Sequence, residues 1–176
     1  MVDVLWPWVL SAMVAWAPPK TPDDLERYKS IASDIEAVAY DPIERPIVTG
    51  PEGRARTALL LASTAYDESY YRQDVDDGRA RGDAGRSVCV MQIWVGSGRT
   101  QEGWSAEDLV SDRLKCVRAA LHIVHGSMAW CRRLSGGDLL GGYTHGRCVA
   151  PNRIGRGRWA RAFAWPIPGI AKEERS

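Results

Sequence analysis

The sequence predicts a mainly helical α+β domain with one small β element. Three observations lead there. Apolar residues recur at spacings of three and four in several separate stretches, the mark of helices with one buried face. One short run alone, residues 87–95, has β character, through Val88, Val90, Ile93 and Val95. The chain shows no internal repeat and no low-complexity linker, and its 176 residues, 45% of them apolar, are enough to bury one core.

The first seventeen residues, M-V-D-V-L-W-P-W-V-L-S-A-M-V-A-W-A, are apolar but shorter than the ~20 residues a membrane span needs. Ala15-Trp16-Ala17 has the form of a signal cleavage site, yet the run lacks a basic start, carries Asp3 and is followed by Pro18-Pro19. It reads as a short buried or amphipathic helix, with an export signal as the alternative. The chain therefore divides into an apolar segment, 1–20, and a domain, 21–170.

Thr21-Pro22-Asp23-Asp24 opens the next helix with a hydroxyl cap, a proline at the first position and acids in the first turn. Leu25, Tyr28, Ala32, Ile35 and Ala39 form its apolar face, and Asp41-Pro42 ends it. A proline-rich connection leads to a helix from about Arg54 that carries Ala58, Leu59, Leu61, Ala62, Ala65 and Tyr66. Residues 73–86 lack an apolar period and read as loop or irregular hairpin, and 87–95 as a strand closed by Gly96-Ser97-Gly98. Ser105-Ala106-Glu107-Asp108 is a capping signal for one long helix through Trp130, with a bend at His125-Gly126-Ser127. Ser135-Gly136-Gly137 stops it. A short helix over 138–144 and a last one over 156–164 follow, with order ending along Trp165-Pro166-Ile167-Pro168-Gly169.

Net charge is +1, but its distribution is uneven. Residues 66–78 hold five acids and one arginine, and residues 147–161 hold five arginines and no acid. An acidic cleft wall beside a basic face would suit a decorated sugar polymer; a solvated basic helix is the plainer reading. No aromatic-interleaved basic motif supports a nucleic-acid role.

Cys89, Cys116, Cys131 and Cys148 are an even set. Cys116 and Cys131 on one helix would stand about 22 Å apart, beyond the roughly 7 Å a bridge allows. Bridges would therefore tie this helix to Cys89 and Cys148, unless all four are reduced thiols. No C-x-x-C pair is present, which argues against a zinc site.

The chemistry concentrates near Glu68. A carboxyl at the end of a buried helix, facing a short sheet across a cleft, loses solvation and can hold a proton near neutral pH. Glu68-Ser69, followed by Gly85-Arg86-Ser87-Val88-Cys89-Val90-Met91-Gln92-Ile93, resembles the E-S…G-x-S-x-G-L-M-Q-I signature of the soluble lytic transglycosylases. That family is a branch of the lysozyme-like superfamily, and the resemblance spans roughly residues 54–148. It implies a lysozyme-like single domain with a small β element beside the catalytic cleft.

The resemblance further implies cleavage of the MurNAc-GlcNAc β-1,4 bond of peptidoglycan, without metal or organic cofactor, by Glu68 acting as acid and then as base. The products would carry 1,6-anhydroMurNAc ends. Ser87 stands where hen-type lysozymes have a second carboxylate, and Ser87 and Gln92 would bind substrate. Tyr143, in G-Y-T-H-G, matches the family's A-Y-N-A-G tyrosine, which points toward the acid and helps set its protonation or its sugar contacts, a third substrate-binding residue. Met91 would pack behind the strand. The implied partners are peptidoglycan strands, within a phage particle or an envelope-spanning machine, and the implied location is the cell envelope, periplasm or virion.

Two alternatives stand beside it. Asp76, Asp77 or Asp83 could hold a water, giving a goose-type-like hydrolase. Cys89 in place of the family's Gly, and Thr144 and His145 in place of Asn and Ala, instead suggest a non-catalytic glycan-binding or structural particle protein on a lysozyme-like scaffold.

Overall fold

A computed structural model describes residues 6–167. Residues 1–5 of the apolar segment and 168–170 of the expected domain, with Pro168-Gly169 of the terminal break, lie outside the described residues. The architecture is mainly helical, with eight α-helices and one two-stranded antiparallel sheet among the described residues.

Helix α3, Gly53–Ser69, is the centre. Every residue from Thr57 to Ala65 is buried, so this helix is enclosed rather than amphipathic. Truncating any one of Leu59, Leu60 or Leu61, all fully buried, to Ala would cost about 2–5 kcal/mol. The polar residues inside it stay satisfied: Thr57 donates to the Gly53 carbonyl and accepts from the Ile47 amide, and Thr64 donates to the Leu60 carbonyl.

Helices α1, Trp6–Trp16, and α2, Pro22–Tyr40, pack on α3. Val9, Ala12 and Met13 place the N-terminal apolar run in the common core as a buried helix, and Trp8 donates to the Pro166 carbonyl at 2.8 Å. The α2 start has the expected hydroxyl cap at Thr21, Asp24 completes a reciprocal capping box with it, and Asp41 ends the helix.

Three expectations for the middle of the chain change. Residues 73–86 are not all loop: α4, Gln73–Asp76, buries Val75 and Asp76, and a 3-10 turn spans Asp83–Gly85. Residues 87–95 are not one strand. They fold back as a hairpin of β1, Ser87–Val88, and β2, Ile93–Trp94, because Cys89 and Gln92 take left-handed backbone (φ +61° and +48°) and reverse the chain. The expected long helix is two, α5, Ala106–Ser111, and α6, Arg113–Trp130. Asp112 between them is extended, and its side chain caps α6 by accepting from the Lys115 amide, so a new start outcompetes continuation. No break interrupts α6 at 125–127.

The four cysteines form two disulfides, Cys89–Cys116 and Cys131–Cys148, so the reduced-thiol alternative falls. The first ties the hairpin to α6. The second ties the end of α6 to the segment after α7, Gly141–His145. The last helix, α8, Arg153–Ala164, starts earlier than expected, because Asn152 caps it by accepting from the Gly155 amide. Gly137 and Gly155 let two backbones meet there: a Cβ on Gly155 would lie 2.1 Å from the Gly137 carbonyl oxygen. That close approach seats α8 against the 3-10 turn Gly136–Leu140, and α8 packs on α3 as well.

Candidate functional site

The last turn of α3 delivers Glu68 to a groove of about 990 Å³. The helix stops there because Tyr70 and Tyr71 both adopt left-handed backbone (φ +52° and +54°), at a strain of about 1–2 kcal/mol each. Burial of Tyr71, whose hydroxyl donates to the Ala62 carbonyl, holds that turn in place.

The groove also takes Asp83, Ser87 and Gln92 from the hairpin side and Tyr143 from α7. The four residues singled out in the sequence, Glu68, Ser87, Gln92 and Tyr143, are thus brought together. Tyr143 is positioned by Ser127, whose Oγ accepts from its amide, and its hydroxyl donates to the Met91 carbonyl at 2.8 Å. Met91 is fully buried, as expected for a residue packing behind the hairpin.

Like Tyr143, the other two expected substrate contacts have their polar atoms engaged by the protein. Ser87 donates its hydroxyl to Asp83 at 2.5 Å. The Gln92 amide accepts from the Gly82 amide at 3.0 Å and donates to the Cys89 carbonyl at 3.1 Å. Both side chains therefore brace the hairpin wall. Of the acids considered for holding a water, only Asp83 lines the groove. Asp76 is buried in a two-pronged pair with Arg113, and Asp77 pairs with Arg79.

The basic C-terminal stretch is not simply a solvated face. Arg158 is 3% exposed and donates from Nη2 to Glu68 Oε1 at 2.6 Å, with Nε on Asp67 at 3.3 Å. Its guanidinium lies 5.4 Å from the Tyr143 ring centroid. Arg161 pairs with Asp67 and donates to Ser63 Oγ, and Arg156 grips Asp138 with two hydrogen bonds. The sequence held a signal for Arg158. Gly155, Arg158 and Ala162 repeat at three and four residues, which sets the arginine on the buried stripe of α8.

Burial pushes the Glu68 carboxyl above the ordinary range, and the opposing pull of Arg158 is the smaller effect. The negative charges of Asp67 and Asp83 push the same way as burial, and the carbonyl end of α3 also disfavours a carboxylate. Burial, with the Glu68 charge, raises the Tyr143 phenol as well, so it stays a neutral donor. Such an arrangement can hold a proton on one carboxyl beside an open groove and release it to a bound group.

A second ionisable cluster lies elsewhere along the groove. His122 on α6 places Nδ1 2.7 Å from Glu102 and Nε2 3.0 Å from Glu44. Nothing in the sequence pattern marked it, because its members come from three distant stretches. Among the described residues no group of three histidine, cysteine or acidic side chains is arranged to hold a metal ion.

Fold and site together define a helical domain with a disulfide-pinned hairpin, holding a half-buried carboxyl over an open groove. Compared with known proteins, the chain matches no family model, no curated protein and no solved structure.

Proposed function

We propose that this protein cleaves peptidoglycan glycan strands at the MurNAc-GlcNAc β-1,4 bond, as a lytic transglycosylase with Glu68 as its only proton-transfer group. The observation that carries the reading is Glu68 itself: a carboxyl raised by burial, lining the same groove as Gln92 and Tyr143. Protonated Glu68 gives its proton to the glycosidic oxygen as the bond to C1 breaks. The resulting carboxylate takes the proton of the same sugar's 6-hydroxyl, whose oxygen bonds to C1. Glu68 ends protonated, no water is consumed, and the product is a 1,6-anhydro end.

The left-handed backbone at Cys89 also supports the resemblance, since the similar motif carries glycine there and φ +61° favours that residue. Two disulfides suit an oxidising compartment, in keeping with the cell envelope, periplasm or a virion. No helix among the described residues is long and apolar enough to cross a membrane. Peptidoglycan is the proposed partner, in the setting of a phage particle or an envelope-spanning machine.

Asp83 favours a second reading. It lines the groove and its charge reaches Glu68, so it could orient a water for a goose-type-like hydrolysis. Mass spectrometry of fragments released from purified sacculi separates the two: anhydro ends support the transglycosylase and reducing ends the hydrolase. Binding to sacculi with no release sinks both and leaves a glycan-binding scaffold, which the internally engaged Ser87 and Gln92 would suit.

A further inference from the structure

We propose that Trp94 is a stacking platform for a pyranose ring of the glycan, a saccharide subsite beside the Glu68 carboxyl. The inference rests on the glycan reading of the groove. Trp94 is 55% exposed although it is the largest kind of apolar side chain, and it lines the groove that Glu68 lines. It pairs directly with Ser87 across the hairpin, and directly paired residues present their side chains on the same face of a sheet. The indole therefore shares a face with the Ser87–Asp83 wall.

Gly96 fixes how the indole lies. A Cβ on Gly96 would fall 2.0 Å from Trp94 Cζ2 and 2.4 Å from Cε2, so the ring system rests on the bare glycine backbone. One side of the indole is thereby supported, and its remaining exposed surface is available to the groove. The same groove is lined by Ser97, Thr100 and Gln101, which carry hydroxyl and amide groups, together with the charged Arg99 and Glu102. An aromatic surface beside hydroxyl and amide groups matches the chemistry of a sugar, whose C–H face is apolar and whose rim is hydroxylated. The hairpin itself is held by the Cys89–Cys116 bridge, so the platform is fixed before ligand arrives.

The test measures binding of chitopentaose, a β-1,4-linked N-acetylglucosamine oligomer, by calorimetry to full-length protein carrying Glu68→Gln. Adding Trp94→Ala is expected to weaken binding about tenfold. Adding Gly96→Ala keeps the tryptophan but displaces the indole, and is expected to weaken binding as well, while Trp94→Tyr retains most of the affinity. Because Trp94 is exposed, thermal unfolding should be little changed in all three, which confirms that folded protein is compared. Affinity unchanged by both Trp94→Ala and Gly96→Ala overturns the platform. Sacculus cleavage by the otherwise native protein is followed in parallel. Cleavage whose KM ignores Trp94→Ala removes the platform and leaves the glycan reading standing. Trp94-dependent binding without cleavage by the native chain keeps the platform and removes the enzyme.

Discussion

Two glutamates line one groove and behave in opposite ways. The Glu68 and Glu102 side chains are comparably covered, 22% and 18% exposed, so burial raises both. At Glu102 that effect is outweighed by hydrogen bonds from Thr100, His122 and its own backbone, and its pKa ends below the ordinary value. Glu68 has one donor, Arg158, and faces the charges of Asp67 and Asp83 from the negative end of a helix; its pKa ends above. The difference teaches that the donors and charges around a carboxyl, set against its burial, decide which becomes a fixed anion and which can carry a proton.

The sharpest way to break this comparison is to neutralise each acid in turn. Glu68→Gln should lower fragment release from sacculi by about 10²–10⁴-fold, with the thermal transition little moved, whereas Glu102→Gln should retain activity. Equal losses in both variants would erase the distinction.

Next in size is the hairpin wall facing Glu68. Replacing Cys89 and Cys116 with alanine should cost about 2–4 kcal/mol in chemical denaturation and lower activity, since the Gln92 wall loses its tie to α6. Removing Cys131–Cys148, which spans 17 residues rather than 27, should cost about 0.4 kcal/mol less on the chain-entropy account. Activity untouched by loss of the first bridge would show that the wall is not needed.

Arg158→Met sharpens the role of the single donor. Without its pull, burial acts unopposed and the Glu68 pKa rises further. A general acid works while protonated, so the descending, alkaline limb of the pH–rate profile should move to higher pH. A limb that stays or moves down contradicts the assignment.

The smallest effect belongs to the other end. Burial pulls the His122 imidazolium down, but its bonds to Glu102 and Glu44 outweigh this, and its pKa is raised. A raised folded value means the stabilisation is complete below the unfolded pKa of about 6.5 and is lost as pH rises through the folded one. The melting temperature of the native chain should therefore fall over that window relative to His122→Gln. Parallel curves for the two proteins would show that the cluster contributes nothing.

Much of the scaffold was legible because its signals are local. The hydroxyl cap, proline and first-turn acids over Thr21 to Asp24, the stop at Asp41-Pro42 and the apolar run of α3 each act within a few residues. Breaks in the middle were not. The turn at Cys89 to Gln92 needs left-handed residues that carry no glycine to announce them, and the break at Asp112 is a contest between two helix starts. For the site, Glu68 and Tyr143 were found by motif, and the structure sets them beside one groove. Arg158 was passed over because an arginine-rich helix reads as surface, though its place on the stripe with Gly155 and Ala162 said otherwise.

By itself the sequence determined a helical domain, its central apolar helix, the exclusion of a Cys116–Cys131 bridge, and a glutamate at the end of that helix. Those follow from periodicity, capping and chain reach, which are properties of neighbours along the chain. Tertiary structure alone decided that Arg158 meets Glu68 from 90 residues away, that Glu102 meets His122 and Glu44, and that Trp94 faces the groove. Protonation depends on solvation and on charges within a few ångströms, and those distances exist only once the chain has folded.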